Sequence, residues 1–223
     1  MIVAVHQPNY LPYLGFFHKM ARAHTFILYD TAQYSKNELH NRNRIKTPKG
    51  VQWLTVPVRR RGFQPIREVE IDTPSRWSER HQRAIEANYR RAPHYESYAA
   101  ELHSTLRGQW HHLADLNEAL IQQVARWLSI ETKLVRSSSL PGPHDTDPTE
   151  KLLHLARSCG GSVYLSGPGG HGYLREEKFD SVRLRYTHFV PAPYPQLFGQ
   201  FVPNLSVIDA LFNCGELTRN FIL

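Results

Sequence analysis

The first thirty residues constrain the fold more than any other stretch. Ile2-Val3-Ala4-Val5-His6 is a short apolar, largely β-branched run, the pattern of a strand covered on both faces. Gln7-Pro8-Asn9-Tyr10-Leu11-Pro12 cannot continue it, because two prolines remove backbone donors and fix φ. Pro12 suits a first helical position, and Tyr13, Leu14, Phe16, Phe17, Met20 and Ala21 then give a broad apolar face as far as His24. Thr25–Asp30 (TFILYD) reads as a second buried strand. Strand, loop, short helix and strand in thirty residues make a βαβ unit, whose ligand edge is the carboxyl end of its strands. That logic puts His6 and Asp30 on one edge of a parallel sheet.

A second such unit is legible further on. Asp147-Pro148-Thr149-Glu150 opens a helix closed by Gly160-Gly161, and Ser162–Ser166 is a strand followed at once by Gly167-Pro168-Gly169-Gly170. Tyr173–Phe179 reads as a short helix and Val182–Val190 as a further strand. Between the two units, Gln52–Val58 and Ile66–Ile71 alternate as strands, and helical periodicity covers 74–98 (broken near Pro93), 96–107 and 115–128. Ser137–Pro148, rich in Ser, Pro, Gly and Asp, reads as a loop. The expected architecture is one α/β domain over residues 1–223. Its mostly parallel sheet comes from N- and C-terminal βαβ units, with a helical insert at about 75–130.

Composition narrows the setting. Of 223 residues, 41 % are hydrophobic and 21 % charged, a globular balance. No apolar run is long enough to span a bilayer, and the first residues lack a basic n-region and a cleavage site, so a cytoplasmic protein without a signal peptide is expected. Cys159 and Cys214 are too few for a disulfide framework or a cysteine-rich zinc site, and both read as packing residues. His111 and His112 are adjacent and diverge on a helix, and no HExxH or HxH occurs, so neither a metal nor another cofactor is expected.

Charge is unevenly placed. Residues 1–67 hold eleven of the 27 basic and two of the 20 acidic residues, a local net charge of +9 against −2 for the remainder. Such a patch attracts phosphate, carboxylate or polyanionic partners, although a run such as Arg59-Arg60-Arg61 also reads as a solvated face.

Several segments together resemble the WbqC-like proteins. They are His6-Gln7-Pro8-Asn9-Tyr10-Leu11-Pro12-Tyr13-Leu14-Gly15, then Asp30 with Gln33, Tyr34 and Lys36, then Asn41-Arg42-Asn43-Arg44-Ile45-Lys46, then Gly50 with Trp53-Leu54-Thr55-Val56-Pro57-Val58. Tyr164-Leu165-Ser166-Gly167, the pair Tyr194 and Gln196, and the tail Leu205–Gly215 complete the match. The resemblance implies a bacterial enzyme of surface-polysaccharide or specialised-metabolite assembly, transferring an acyl or aminoacyl group to an amine. It implies small-molecule substrates, with an acyl carrier protein as a candidate donor.

Site candidates follow from the residues themselves. His6, at a strand end, titrates near neutrality and could take a proton from an amine, oriented by Asp30. The structural alternatives are a histidine bonded to backbone and an aspartate capping a turn. Lys36 is a third catalytic candidate. If extended, Asn41 and Asn43 face one way while Arg42, Arg44 and Lys46 face the other, a carboxylate or phosphate clamp. Gln7, Tyr10, Gln33 and Trp53 accompany these as substrate-binding candidates. Ser166 and Gly167 open a glycine turn that could cradle an anion, although it matches neither a P-loop nor GxSxG and also suits an ordinary strand-to-helix turn. Two other functions compete. A nucleotidyl-transferring enzyme would use an HxGH-like motif, but Phe16 stands where its second histidine belongs. A nucleic-acid-binding module would use the basic segment with Tyr10, Tyr34 and Trp53, but no recognised binding motif accompanies them.

Overall fold

β1 (Ile2–His6) and β2 (Thr25–Leu28) lie parallel and adjacent, with Val3 opposite Thr25 and His6 opposite Leu28, and α1 (Leu14–Ala21) crosses between them. The computed structural model describes residues 1–59, 61–142 and 147–223; Arg60 of the arginine run and residues 143–146 of the Ser137–Pro148 loop lie outside them. After β2 come a hairpin of β3 (Arg42–Thr47) and β4 (Gly50–Thr55), a two-residue pairing of β5 (Val58–Arg59) with β6 (Glu70–Ile71), and the helices α2 (Trp77–Tyr89), α3 (Tyr95–Leu106) and α4 (Leu113–Trp127). The chain then returns to the sheet through β7 (Lys133–Arg136), α5 (Pro148–Ser158), β8 (Val163–Ser166) and β9 (Arg183–Tyr186), and ends beyond α6 (Val207–Cys214).

The fold is α/β. Its central sheet has the order β7-β2-β1-β8-β9, and every pairing in it is parallel. Alternate residues bury on opposite faces. Ala4, Phe26 and Leu28 join α1 and the insert helices in the larger core, whereas Val3, Val5, Ile27 and Tyr164 pack against Leu152, Leu153 and Ala156 of α5.

Several elements differ from the sequence reading. β7 was not anticipated: its four residues, Lys-Leu-Val-Arg, are too short and too charged to register as a buried strand. The strand expected over 52–58 ends at Thr55, and that over 66–71 is a 3₁₀ turn at Ile66–Glu68 followed by β6. α2 starts at Trp77, because Arg76 takes a left-handed φ of 48° just after Ser75. The helix expected at 173–179 is only a 3₁₀ turn at Glu176–Lys178, and β9 stops at Tyr186.

Candidate functional site

In chain order the sheet strands read third, second, first, fourth, fifth, so the direction of winding reverses between β1 and β8. Ligands of open parallel sheets bind at the carboxyl edge of such a reversal. The two strands pair only from Ile2 to Ala4 against Val163 to Leu165, while β1 continues beside β2 as far as His6. They therefore part before their ends. Odd-numbered residues of β1 turn their backbone polar groups toward β8, and the Val5 carbonyl is the first to lose a ladder partner there. The buried Lys19 of α1 supplies one: its Nζ donates to Val5 O at 2.8 Å.

Two clefts open at this point, of about 550 and 410 Å³. They share a wall of His6, Tyr13, Lys19, Gly167 and Pro168. The larger lobe is bounded by Gln7, Tyr29, Gln33, Lys151, Gly169 and Tyr173, and the smaller by Leu39, Arg44, Thr187, Phe189, Pro191 and Asn204. Among the described residues no carboxylate lines either lobe. The site favours anions.

His6 packs edge-on to Phe16, with ring centroids 4.8 Å apart. Its Nδ1 lies 2.9 Å from Gln7 O and donates to it, so the neutral ring carries its lone pair on Nε2. Burial, reinforced by the nearby Lys19 charge, pulls the His6 pKa down to about 3. Burial also lowers the Lys19 amine, to about 7. Near neutral pH the imidazole is uncharged, and the lysine titrates. Gln7 is held by its Oε1, which accepts from Nε2 of the buried His40 at 3.0 Å. Lys19 was missed in the sequence reading. The available signal was a lysine within a helix otherwise lined with Leu14, Phe16, Phe17 and Met20.

Asp30 does not orient His6. Its carboxylate is buried and accepts from Ser137 Oγ (2.8 Å), Ser138 N (2.9 Å) and Ser138 Oγ (2.6 Å), clamping the turn after β7. A buried carboxylate bonds wherever donors converge, and here the neighbouring strand end supplies them. Asp30 is the turn clamp, and His6 bonds backbone. Lys36 is exposed and lines neither lobe, whereas Gln33, also exposed, lines the larger one.

The Asn41–Lys46 block is mostly framework. Asn41 Nδ2 donates to Val56 O at 2.8 Å. Asn43 Nδ2 donates to Tyr10 O and Leu11 O (3.3 and 2.7 Å), holding the proline-flanked loop at Leu11, whose φ is 41°. Lys46 Nζ is buried, donating to Gln196 Oε1, Gly199 O and Gln200 O. Tyr10 is fully buried, its hydroxyl donating to His81 Nδ1 at 2.8 Å. Arg42 and Arg44 do face outward as the alternation requires, but over the Trp53 indole, at 4.3 and 5.8 Å. Of the three cations in the expected clamp only Arg44 reaches the cleft, and Trp53 lines neither lobe. Ser166 is buried, its Oγ donating to Gly167 O at 3.1 Å, and both residues line the larger lobe.

The strand order and the crevice define a doubly wound α/β protein with a switch-point site. Within that class, residues 7–220 match the WbqC-like protein family, to which the chain belongs. It is 39 % identical over 226 residues to the uncharacterized protein Rv1507c of Mycobacterium tuberculosis (strain ATCC 25618 / H37Rv), covering 99 % of this chain and 96 % of that protein. No helix among the described residues is long and apolar enough to cross a membrane.

Proposed function

We propose that the chain is a biosynthetic enzyme that transfers an acyl or aminoacyl group from a thioester to an amine, in surface-polysaccharide or specialised-metabolite assembly. The observation that carries this reading is the pair of lobes meeting at one wall of Lys19 and His6. A group transfer needs two substrates brought to a common point, with a proton-handling group between them.

In this reaction the acceptor nitrogen attacks the thioester carbonyl, forming C–N as C–S breaks. The proton leaving the nitrogen passes to neutral Lys19 Nζ and then to the departing thiolate, giving amide and thiol. An amine titrating near 7 suits that role better than an imidazole held near 3. His6 serves as an uncharged hydrogen-bonding group that positions a reactant. Gly167 and Gly169 present backbone N–H groups at the developing oxyanion, and Arg44 and Lys151 attract phosphate or carboxylate on the substrates.

The test is a panel of acyl and aminoacyl thioesters offered with and without amino-sugar nucleotides. Free thiol is followed by absorbance and amide by mass spectrometry. Amine-dependent thiol release with stoichiometric amide is expected. Pyrophosphate release from nucleoside triphosphates, without amide, would replace this reading with nucleotidyl transfer.

A further inference from the structure

Gln7 directly follows β1 and lines the larger lobe. Both of its oxygens are occupied. The backbone carbonyl accepts from His6 Nδ1 at 2.9 Å, and Oε1 accepts from His40 Nε2 at 3.0 Å. What remains is the side-chain Nε2. It has no hydrogen-bond partner among the described residues, yet it is not one of the sealed polar atoms of the interior. It therefore keeps accessible surface where Gln7 lines the lobe.

The orientation of that amide is fixed from behind. The Ser35 N–H is directed at His40 Nδ1 at 3.3 Å, and a backbone N–H can only donate. Nδ1 therefore carries the ring's lone pair. Burial holds the His40 pKa down to about 4, so near neutral pH the ring has a single proton, on Nε2. A donor at Nε2 requires the oxygen of the Gln7 amide to face it, which turns the NH2 away from His40. Asn117, fully buried on α4, secures both sides of this contact: its Nδ2 donates to Pro8 O at 3.0 Å and to His40 O at 2.7 Å. The His40 ring also packs on Tyr34, with centroids 5.6 Å apart. A glutamine that met only solvent would need none of these partners and could turn its amide to donate or to accept. Burying His40 and Asn117 to hold one orientation preorganises a donor.

We infer that Gln7 Nε2 is a fixed donor to a substrate oxygen in the larger lobe, and that His40 is the positioning residue that aims it. The inference rests on the transfer reading above and adds a selection rule to it. At this point of the lobe the substrate carries an oxygen that accepts, such as a carbonyl, because the locked amide cannot turn to receive an N–H.

The test takes a thioester and amine pair that the wild type joins. It compares kcat and KM per folded molecule for wild type, Gln7→Glu, Gln7→Leu, His40→Phe and the double variant Q7L/H40F. Gln7→Glu keeps an oxygen for His40 but presents a carboxylate instead of a donor, and should lose at least about tenfold in kcat/KM. A loss in kcat places the oxygen on the reacting carbonyl, and a loss in KM places it on a group that does not react. His40→Phe should cost about fivefold when Gln7 is present and less than about twofold in the Gln7→Leu background, since there is then no amide to aim. Nitrogen-15 NMR of the wild-type histidines should find the His40 proton on Nε2 at pH 7. Gln7→Glu within about twofold of wild type, an equal His40→Phe loss in both backgrounds, or a His40 proton on Nδ1 would overturn the assignment. Amide formation persisting beside any of those results leaves the transfer reading standing. A wild type that forms no amide from any pair removes that reading and the substrate contact together.

Discussion

The Asn41–Lys46 hairpin and the β1–β8 crevice are both polar, both basic and both buried in part, yet their hydrogen-bonding capacity is used differently. Around the hairpin it is largely taken up. Lys46 meets three oxygens, Asn43 two carbonyls, and the fully buried Asp209 accepts the hydroxyls of Tyr89 (2.7 Å) and Tyr194 (2.9 Å). Tyr89 in turn accepts from Lys46 N at 2.9 Å, tying α2, β3, α6 and the 194–200 loop together. At the crevice capacity is left over: the His6 lone pair and the titrating Lys19 amine. Saturated polar clusters hold a fold, and unsaturated ones at a cleft await a ligand.

Breaking the saturated cluster should produce the largest stability change. Asp209→Ala leaves two buried tyrosine hydroxyls without the acceptor for their protons and should lose about 3 kcal/mol or more by urea denaturation. A loss below about 1 kcal/mol would show that the network is dispensable. Asp30→Ala frees the Ser137–Ser138 turn and should cost about 2 kcal/mol, with the transfer rate per folded molecule retained. A vanished rate at intact stability would return Asp30 to the active site.

Acid sharpens the same contrast. His81 and His40 are buried and held down to about 4, chiefly by burial, and His6 to about 3. Each binds protons more readily unfolded than folded, so their stabilising contribution is complete above about pH 6.5 and is lost as pH falls toward the folded values. His81 alone should contribute a slope of at most about 1.4 kcal/mol per pH unit between those limits. A urea midpoint flat from pH 7 to 4.5 would contradict this. For Lys19 the linkage runs on the alkaline side: its lowered pKa penalises the folded state below about 7, and the penalty lifts as pH rises toward 10.5.

Much of the fold was legible in the sequence because it is local. The β1–α1–β2 unit, the parallel adjacency of its strands and the glycine turn after β8 follow from short-range periodicity and prolines. β7 was not legible, since it is a half-exposed edge strand whose place is set by pairing with β2 across a long insertion. The site was legible in part. His6, Gln7, Gln33, Arg44, Ser166 and Gly167 line the crevice, but the Asn41–Lys46 block looked like a ligand clamp because sequence shows donors and not the distant carbonyls that occupy them. Lys19 escaped notice for the converse reason: it matters through an environment that only the folded chain supplies.

The most direct test is the pH–rate profile of amide formation for wild type and Lys19→Met. Wild type should show an acidic limb with an apparent midpoint near 7, and Lys19→Met should lose at least about 100-fold in rate per folded molecule. A Lys19→Met enzyme that retains both rate and limb would show that the buried amine only fills a gap in the sheet.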